Sequence, residues 1–237
     1  MGRSIALGLL GFALFACAGG VPGTSGAPAD PPAADKGDKK GGFDRTGATR
    51  KRLLKDFGGS EESEEAVMLG LGWLAQWQQK DGHWAFDGGH SRDHAAASGL
   101  SVLAFLGAGQ SHKEGRYKAS VQAGLDWLVG DVDLGQAGDR GRFRSAGLMY
   151  SQGIATLALC EAYGMTQDPA LRPAAQAAVE FIQKAQLDNG SWGYQSRTPP
   201  GDTSIVGWQI QALHAARLGG LDVDNEVIRK AMTFLDA

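Results

Sequence analysis

Large residues recur in this chain at a fixed step. Trp73, Trp127 and Phe181 are separated by 54 and 54 positions, and Phe234 follows after 53. Gly99, Gly153 and Gly207 keep the same step of 54, as do Ala104, Ala158 and Ala212, and Phe105, Leu159 and Leu213. A fixed period of this size marks a repeat architecture, in which each unit is a small supersecondary element that buries its apolar face only against its neighbours. The period therefore limits the fold to a stack of similar units.

Each unit reads as two helical segments. The first is amphipathic and charged: EESEEAVMLGLGWLAQWQQ, RYKASVQAGLDWL and RPAAQAAVEFIQKAQ. Ser60 before a run of Glu and Pro173 in a first turn mark helix starts. The second is uncharged through its middle: AAASGLSVLAFLGAG, MYSQGIATLAL and TSIVGWQIQALHAA. A helix apolar on nearly all sides is surrounded by protein. Charged outer helices thus alternate with buried inner ones, and short Gly-rich loops make neighbours antiparallel. Each mid-helix glycine of the 99/153/207 column costs about 1 kcal/mol relative to Ala. Close approach of packed inner helices is the expected compensation.

Ahead of the repeats lies a targeting segment. Residues 1–17 carry one basic residue, Arg3, then an apolar run from Ile5 to Ala16, then small residues. This is the pattern of a bacterial secretory signal, too short to span a membrane as a mature helix. The stretch Leu14 to Cys17 resembles a lipobox, in which Cys17 becomes the lipidated mature N-terminus. Phe15 is unusual there, and Ala16-Cys17-Ala18 also reads as a cleavage site that would release an exported, unanchored protein. Residues 18–42 contain one large aliphatic, Val21, and no aromatic residue. They cannot offset the entropy of ordering and read as a disordered tether with a reach of roughly 25–30 Å. The repeat domain is expected over 43–237, on the periplasmic or outer surface. A net charge of −3 gives no electrostatic footprint for nucleic acid. The two cysteines, Cys17 and Cys160, cannot form a disulfide framework.

A second signal rides on the period. Gln78, Gly82 and Trp84 recur as Gln186, Gly190 and Trp192, at the same internal spacing. The Gln can bond free backbone groups at a helix end, the Gly permits a turn with positive φ, and the Trp can cover the next helix terminus. Between them the motif is degenerate: Trp127-Leu128 is kept, Val132 stands in place of Gln, and Phe143 replaces the Trp.

Gly70-x-x-Trp73-Leu74-x-x-x-Gln78-x-x-x-Gly82-x-Trp84 and Phe181-Ile182-x-x-x-Gln186-x-x-x-Gly190-x-Trp192 resemble the QW motif of squalene-hopene and oxidosqualene cyclases. The resemblance covers roughly residues 60–237 and extends to the terpenoid cyclase and protein prenyltransferase superfamily. It implies an all-α fold, an α/α toroid or an open, incomplete arc of one. It also implies that the motif residues are structural. In the cyclases an acidic D-x-D-D-T-A motif opens an inner helix and protonates an alkene. Here the matching place has Pro199, Gly201, Asp202 and Thr203, so only the final Asp-Thr is kept. Asp202 is the one candidate acid, and it also reads as a helix N-cap.

The same comparison places a ligand cavity where inner helices begin. Asp93 and His94, Met149, Tyr150 and Gln152, and Asp202, Thr203 and Trp208 would face it, with aromatic rings suited to an apolar chain or a carbocation. The prenyltransferase zinc needs an Asp-x-Cys pair, which is absent. Cys160 and His214 stand one period apart, but Leu106 occupies their column in the first unit, and zinc wants three or four ligands. No metal and no cofactor is therefore expected. His83, His90, His94 and His112 read as loop residues, with Asp93 as the cap of the first inner helix. The tail AMTFLDA begins a fourth copy without the polar outer face of a terminal repeat, so further repeats beyond Ala237 are expected.

Two functions fit these residues. One is an exported, lipid-anchored, non-catalytic repeat module that binds an isoprenoid, another apolar ligand or a partner. The other is an isoprenoid-converting cyclase whose acid is degenerate here or lies in repeats beyond this sequence. A purely structural surface protein is a third reading.

Overall fold

The computed structural model describes residues 43–45, 47–86, 93–135 and 138–237. The stretch 1–17 expected as a leader with Cys17, the stretch 18–42 expected as a tether, and His90 lie outside them. Eight helices occupy the described residues: α1 (Gly47–Asp56), α2 (Glu61–Trp77), α3 (His94–Gly107), α4 (Lys118–Asp131), α5 (Met149–Thr166), α6 (Arg172–Lys184), α7 (Thr203–Gly219) and α8 (Asn225–Leu235). Apart from one isolated bridge between Val132 and Phe143, no strand pairing is seen among them. None of these helices is long and apolar enough to cross a membrane.

Local chemistry sets the helix ends. Ser60 and Ser63 form a reciprocal capping box at α2, and Glu61, Glu62 and Glu64 lie in its first turn, where the helix dipole favours negative charge. Pro173 sits in the first turn of α6, where its missing N–H has no helical partner to lose. Gly220 closes α7 in the left-handed conformation.

Packing follows the charge pattern. The helices uncharged through their middles, α3, α5 and α7, form a row in which α5 packs extensively against both of the others. The charged helices α2, α4, α6 and α8 each pack against members of this row. Of the 18 residues of α5, 14 are buried, as expected of a helix enclosed on all sides. Two glycines of the column, Gly99 and Gly153, lie at the contacts. A Cβ on Gly99 would come within 3.1 Å of the Ala155 backbone, and one on Gly153 within 2.8 Å of the Gln209 amide.

One element had no signature in the sequence. The segment from Phe43 through α1 is anchored near the C-terminal ends of α3 and α5. Phe43 is buried where a Cβ on Gly164 would stand 2.4 Å from its ring. Arg45 pairs with Glu161 at 2.6 Å, and Arg50 reaches both the Glu64 carboxylate and the Gly107 carbonyl. A short basic stretch such as Arg50-Lys51-Arg52 has no apolar period of its own, so only these distant partners hold it as a helix.

The same end of the molecule carries a buried histidine. His112 is 1% exposed, and its Nε2 lies 3.0 Å from Asp168 Oδ2, which Lys113 also contacts. Burial pushes the His112 pKa below its ordinary 6.5 despite the Asp168 contact. Hydrogen bonds from Lys113, the Ala170 N–H and His112 hold Asp168 well below the usual carboxylate range. Both shifts act in one direction. The unfolded chain binds a proton at each group at pH values where the folded chain does not, so stability is lost as pH is lowered. The His112 contribution is complete above about pH 6.5 and is lost as pH falls toward its depressed folded value. Asp168 adds a further loss below about pH 4. We expect the melting temperature to fall between pH 7 and 5, and to fall less in His112→Gln. Identical melting profiles for the two proteins would remove His112 from this role.

Candidate functional site

The repeated Gln and Trp side chains are joints between units. Gln78 Nε2 donates to the Gly82 carbonyl at 2.8 Å and to the Ser120 carbonyl of α4 at 2.9 Å. Gln186 Nε2 donates to the Gly190 carbonyl at 2.9 Å and to the Val227 carbonyl of α8 at 2.8 Å. Each amide thus ties its own loop to the next outer helix. Trp84 Nε1 donates to the Leu74 carbonyl and Trp192 Nε1 to the Ile182 carbonyl, at 2.7 and 2.8 Å. Both rings are buried, so each caps the end of the preceding outer helix.

The middle unit solves the same problem differently. Gly141 and the fully buried Phe143 stand in the places of the motif Gly and Trp, nine and eleven positions after Val132 rather than four and six after a Gln. The missing Gln is supplied from the inner helix. Gln152 is 1% exposed; its Nε2 donates to the Gly141 carbonyl at 2.9 Å and its Oε1 accepts the Phe143 N–H at 3.1 Å. In the first unit Ser98, one period earlier, accepts the Trp84 N–H at 3.0 Å. Gln152, expected to face a ligand, is bonded to the loop and also lines the cavity at the start of α5. Sequence reasoning missed this because the substitute comes from 20 positions beyond Val132.

The starts of α5 and α7 bring several expected residues together. Asp202 caps α7: its Oδ1 accepts the Ser204 and Ile205 N–H groups at 2.9 and 3.1 Å, and the Ser204 hydroxyl. Tyr194 donates to Oδ2 at 3.2 Å, and Tyr150 lies 3.5 Å from Oδ1 while bonding the Ser204 hydroxyl. The Tyr150 and Tyr194 rings meet edge-on at 5.9 Å. These donors, led by Ser204, lower the Asp202 pKa, and the negative charge of Asp202 raises that of Tyr194. An alkene-protonating acid needs the opposite, a carboxyl kept protonated. Thr203 is exposed beside Asp202, Trp208 is half-buried one turn further on, and Met149 is buried with its carbonyl accepting from Gln209 at 2.7 Å.

Asp93 caps α3 through the Ala96 N–H at 3.2 Å and also accepts from the Ser151 hydroxyl, linking the starts of α3 and α5. The His94 ring packs tilted against that of His83, centroids 4.5 Å apart, and meets Trp127 edge-on at 6.5 Å. Cys160 is fully buried, and burial pushes its thiol pKa up. His214 occupies the equivalent face of α7, which is exposed. Equal columns of successive helices point the same way, so the two side chains face different neighbours rather than each other. Among the described residues no group of three or more His, Cys, Asp or Glu is placed to hold a metal.

No protein-family model, curated protein or solved structure matches this chain.

Two hollows stand out. A cavity of about 220 Å³ lies at the start of α5, lined by Arg142, Asp139, Met149, Phe181, Gln195 and Ser196 among others. A larger groove of about 420 Å³ runs between α2 and α3, lined by Trp73, Trp77, Trp84, Phe86, Ala97, Leu100 and Ser101. Trp73 is 49% exposed and Trp77 57%, and their rings lie 5.9 Å apart. Leu69, exposed too, continues their row one turn back along α2. The signal was present in the sequence as Leu69, Trp73 and Trp77 at steps of four, which fall on one helix face. It was hidden because an apolar row on an outer helix is ordinarily the face turned toward the inner helices.

Proposed function

We propose that residues 43–237 form an arc of α/α-toroid repeats that works as a non-catalytic binding module, carried on an exported chain anchored through Cys17. The α2/α3 groove is its binding surface, and an apolar partner is what it takes. The observation that carries this reading is the exposed Trp73–Trp77 pair over a 420 Å³ apolar hollow. Contiguous exposed apolar surface of this kind marks an interaction site. The reading against catalysis rests on Asp202. Its carboxylate is occupied as the α7 cap and held ionised, with Pro199 and Gly201 in the places of the partner acids. The kinship with the terpenoid cyclases rests on the Gln-Gly-Trp motifs and the period.

Titration with farnesol, a single isoprenoid chain, tests both parts. Tryptophan fluorescence is expected to change saturably in the parent and much less in Trp77→Ala, and the alcohol is expected to be recovered unconverted. Asp202→Asn should bind like the parent and melt at a slightly lower temperature, as a weakened cap would. Conversion by the parent but not by Asp202→Asn would make the chain an enzyme with Asp202 as its acid. Equal fluorescence responses in the parent and Trp77→Ala would remove the groove from the binding surface.

A further inference from the structure

The exposed row on α2 has a second row beside it. Leu69, Trp73 and Trp77 form the first, Ala66 and Gly70 the second, and all five are exposed. Steps of three and four along a helix put both rows on one face. Nothing lies within 4 Å of where a Cβ on Gly70 would stand. The described residues that precede α2 leave this face bare. Phe43 packs at Gly164 and Arg45 at Glu161, both on α5, and Arg50 turns to Glu64 and the Gly107 carbonyl. Large exposed rings thus lie beside small residues on one surface, at the edge of the Trp-lined groove.

We propose that this face binds itself: α2 of one copy packs antiparallel on α2 of a second, and the chain forms a two-fold dimer. This rests on the reading of the groove as the binding surface, and it names the apolar face of a second copy as the occupant. The pattern is self-complementary. In one antiparallel register, with the two-fold axis level with positions 71 and 72, Trp77 comes opposite Ala66 of the other copy and Trp73 opposite its Gly70. The symmetry repeats both pairs. Large residues set against small ones let two helices approach to about 8–10 Å. The same register brings Leu69 level with Leu74, which lines the groove of the other copy. The ends agree in charge. α2 opens on the exposed Glu61 and Glu62 and is followed by the exposed Lys80, so each Lys80 comes against the acidic start of the other α2. A parallel pairing would set the Glu residues against their own copies, which charge complementarity disfavours. One helix face and a groove rim bury less than the roughly 1,600 Å² of a standard interface, so a dimer of micromolar affinity is expected. An isologous contact closes on itself, and association stops at two.

Sedimentation velocity of the full 237-residue chain tests the proposal. A reversible dimer with no larger species is expected. Gly70→Arg starts from a position with open space around it and fills the place opposite Trp73, so circular dichroism should show the helices intact while dimerisation weakens about tenfold or more. Lys80→Glu is expected to weaken the dimer severalfold, and Glu62→Lys added to it is expected to restore the dimer. Within one chain these positions lie at opposite ends of α2, about 25 Å apart, so the restoration has to come from the other copy. A monomeric parent at every concentration overturns the proposal, as does a dimer that survives Gly70→Arg, assembly beyond two, or a charge exchange that restores nothing. If the parent is monomeric, farnesol separates the two readings. Saturable quenching that Trp77→Ala lacks keeps the groove as a ligand site, and no quenching removes that reading as well.

Discussion

Trp192→Ala is expected to cost about 3–5 kcal/mol from the lost ring and its cavity. Trp192 has no exposed surface, and its Nε1 holds the Ile182 carbonyl at the end of α6 at 2.8 Å. Removing the donor from a buried carbonyl adds about 1–3 kcal/mol. A single domain is stable by only about 5–15 kcal/mol, so the variant should be partly unfolded at ambient temperature or melt on the order of 10 °C lower. Trp84→Ala should behave alike, since the ring is 3% exposed and bonds the Leu74 carbonyl in the same way. Trp73→Ala is the contrast: that ring is half exposed, and the change should lie within about 0.5 kcal/mol. Urea unfolding of the three variants checks this. Equal losses for Trp73 and Trp192 would mean that the buried tryptophans are not joints between units.

The second large effect is expected at Gly141. Its φ is +93°, and a Cβ there would stand 1.9 Å from the Ala177 carbonyl oxygen of α6. Gly82 and Gly190 take the same conformation, 2.3 and 2.1 Å from the Ala123 and Lys230 carbonyls of the next outer helices. The left-handed conformation costs an alanine about 1–2 kcal/mol. Moving a packed helix aside adds about 1–3 kcal/mol. Gly141→Ala should therefore lose about 2–5 kcal/mol in total. Gly70→Ala should have the opposite sign, because that position is exposed inside α2 with nothing within 4 Å, and alanine favours the helix by about 1 kcal/mol. A Gly141→Ala variant as stable as the parent would show that α6 yields freely, and the loop glycines would then not fix the spacing of the units.

These two positions also mark what could be read in advance. The step of 54 gave the unit, and the alternation of charged and uncharged segments gave the outer and inner helices, because burial on all sides leaves no room for charge. The Gln and Trp repeats pointed to the joints, since a donor amide and an indole suit free helix-end carbonyls. The Asp202 position was legible as a cap. The sequence could not show that Tyr150 and Tyr194 converge on it, because they lie 52 and 8 positions away.

Helices, their order and the residues that recur are local and periodic features, and they were legible in the chain before any packing was known. Packing in three dimensions sets which side chain fills a place left by a substitution, as Gln152 does for the middle loop. It alone brought Phe43 and Arg45 onto α5, more than a hundred positions away. It alone left Trp73 and Trp77 exposed over the α2/α3 groove. The physical reason is that a repeat pattern specifies the contact each unit makes with a neighbour, whereas exposure depends on whether a neighbour is there.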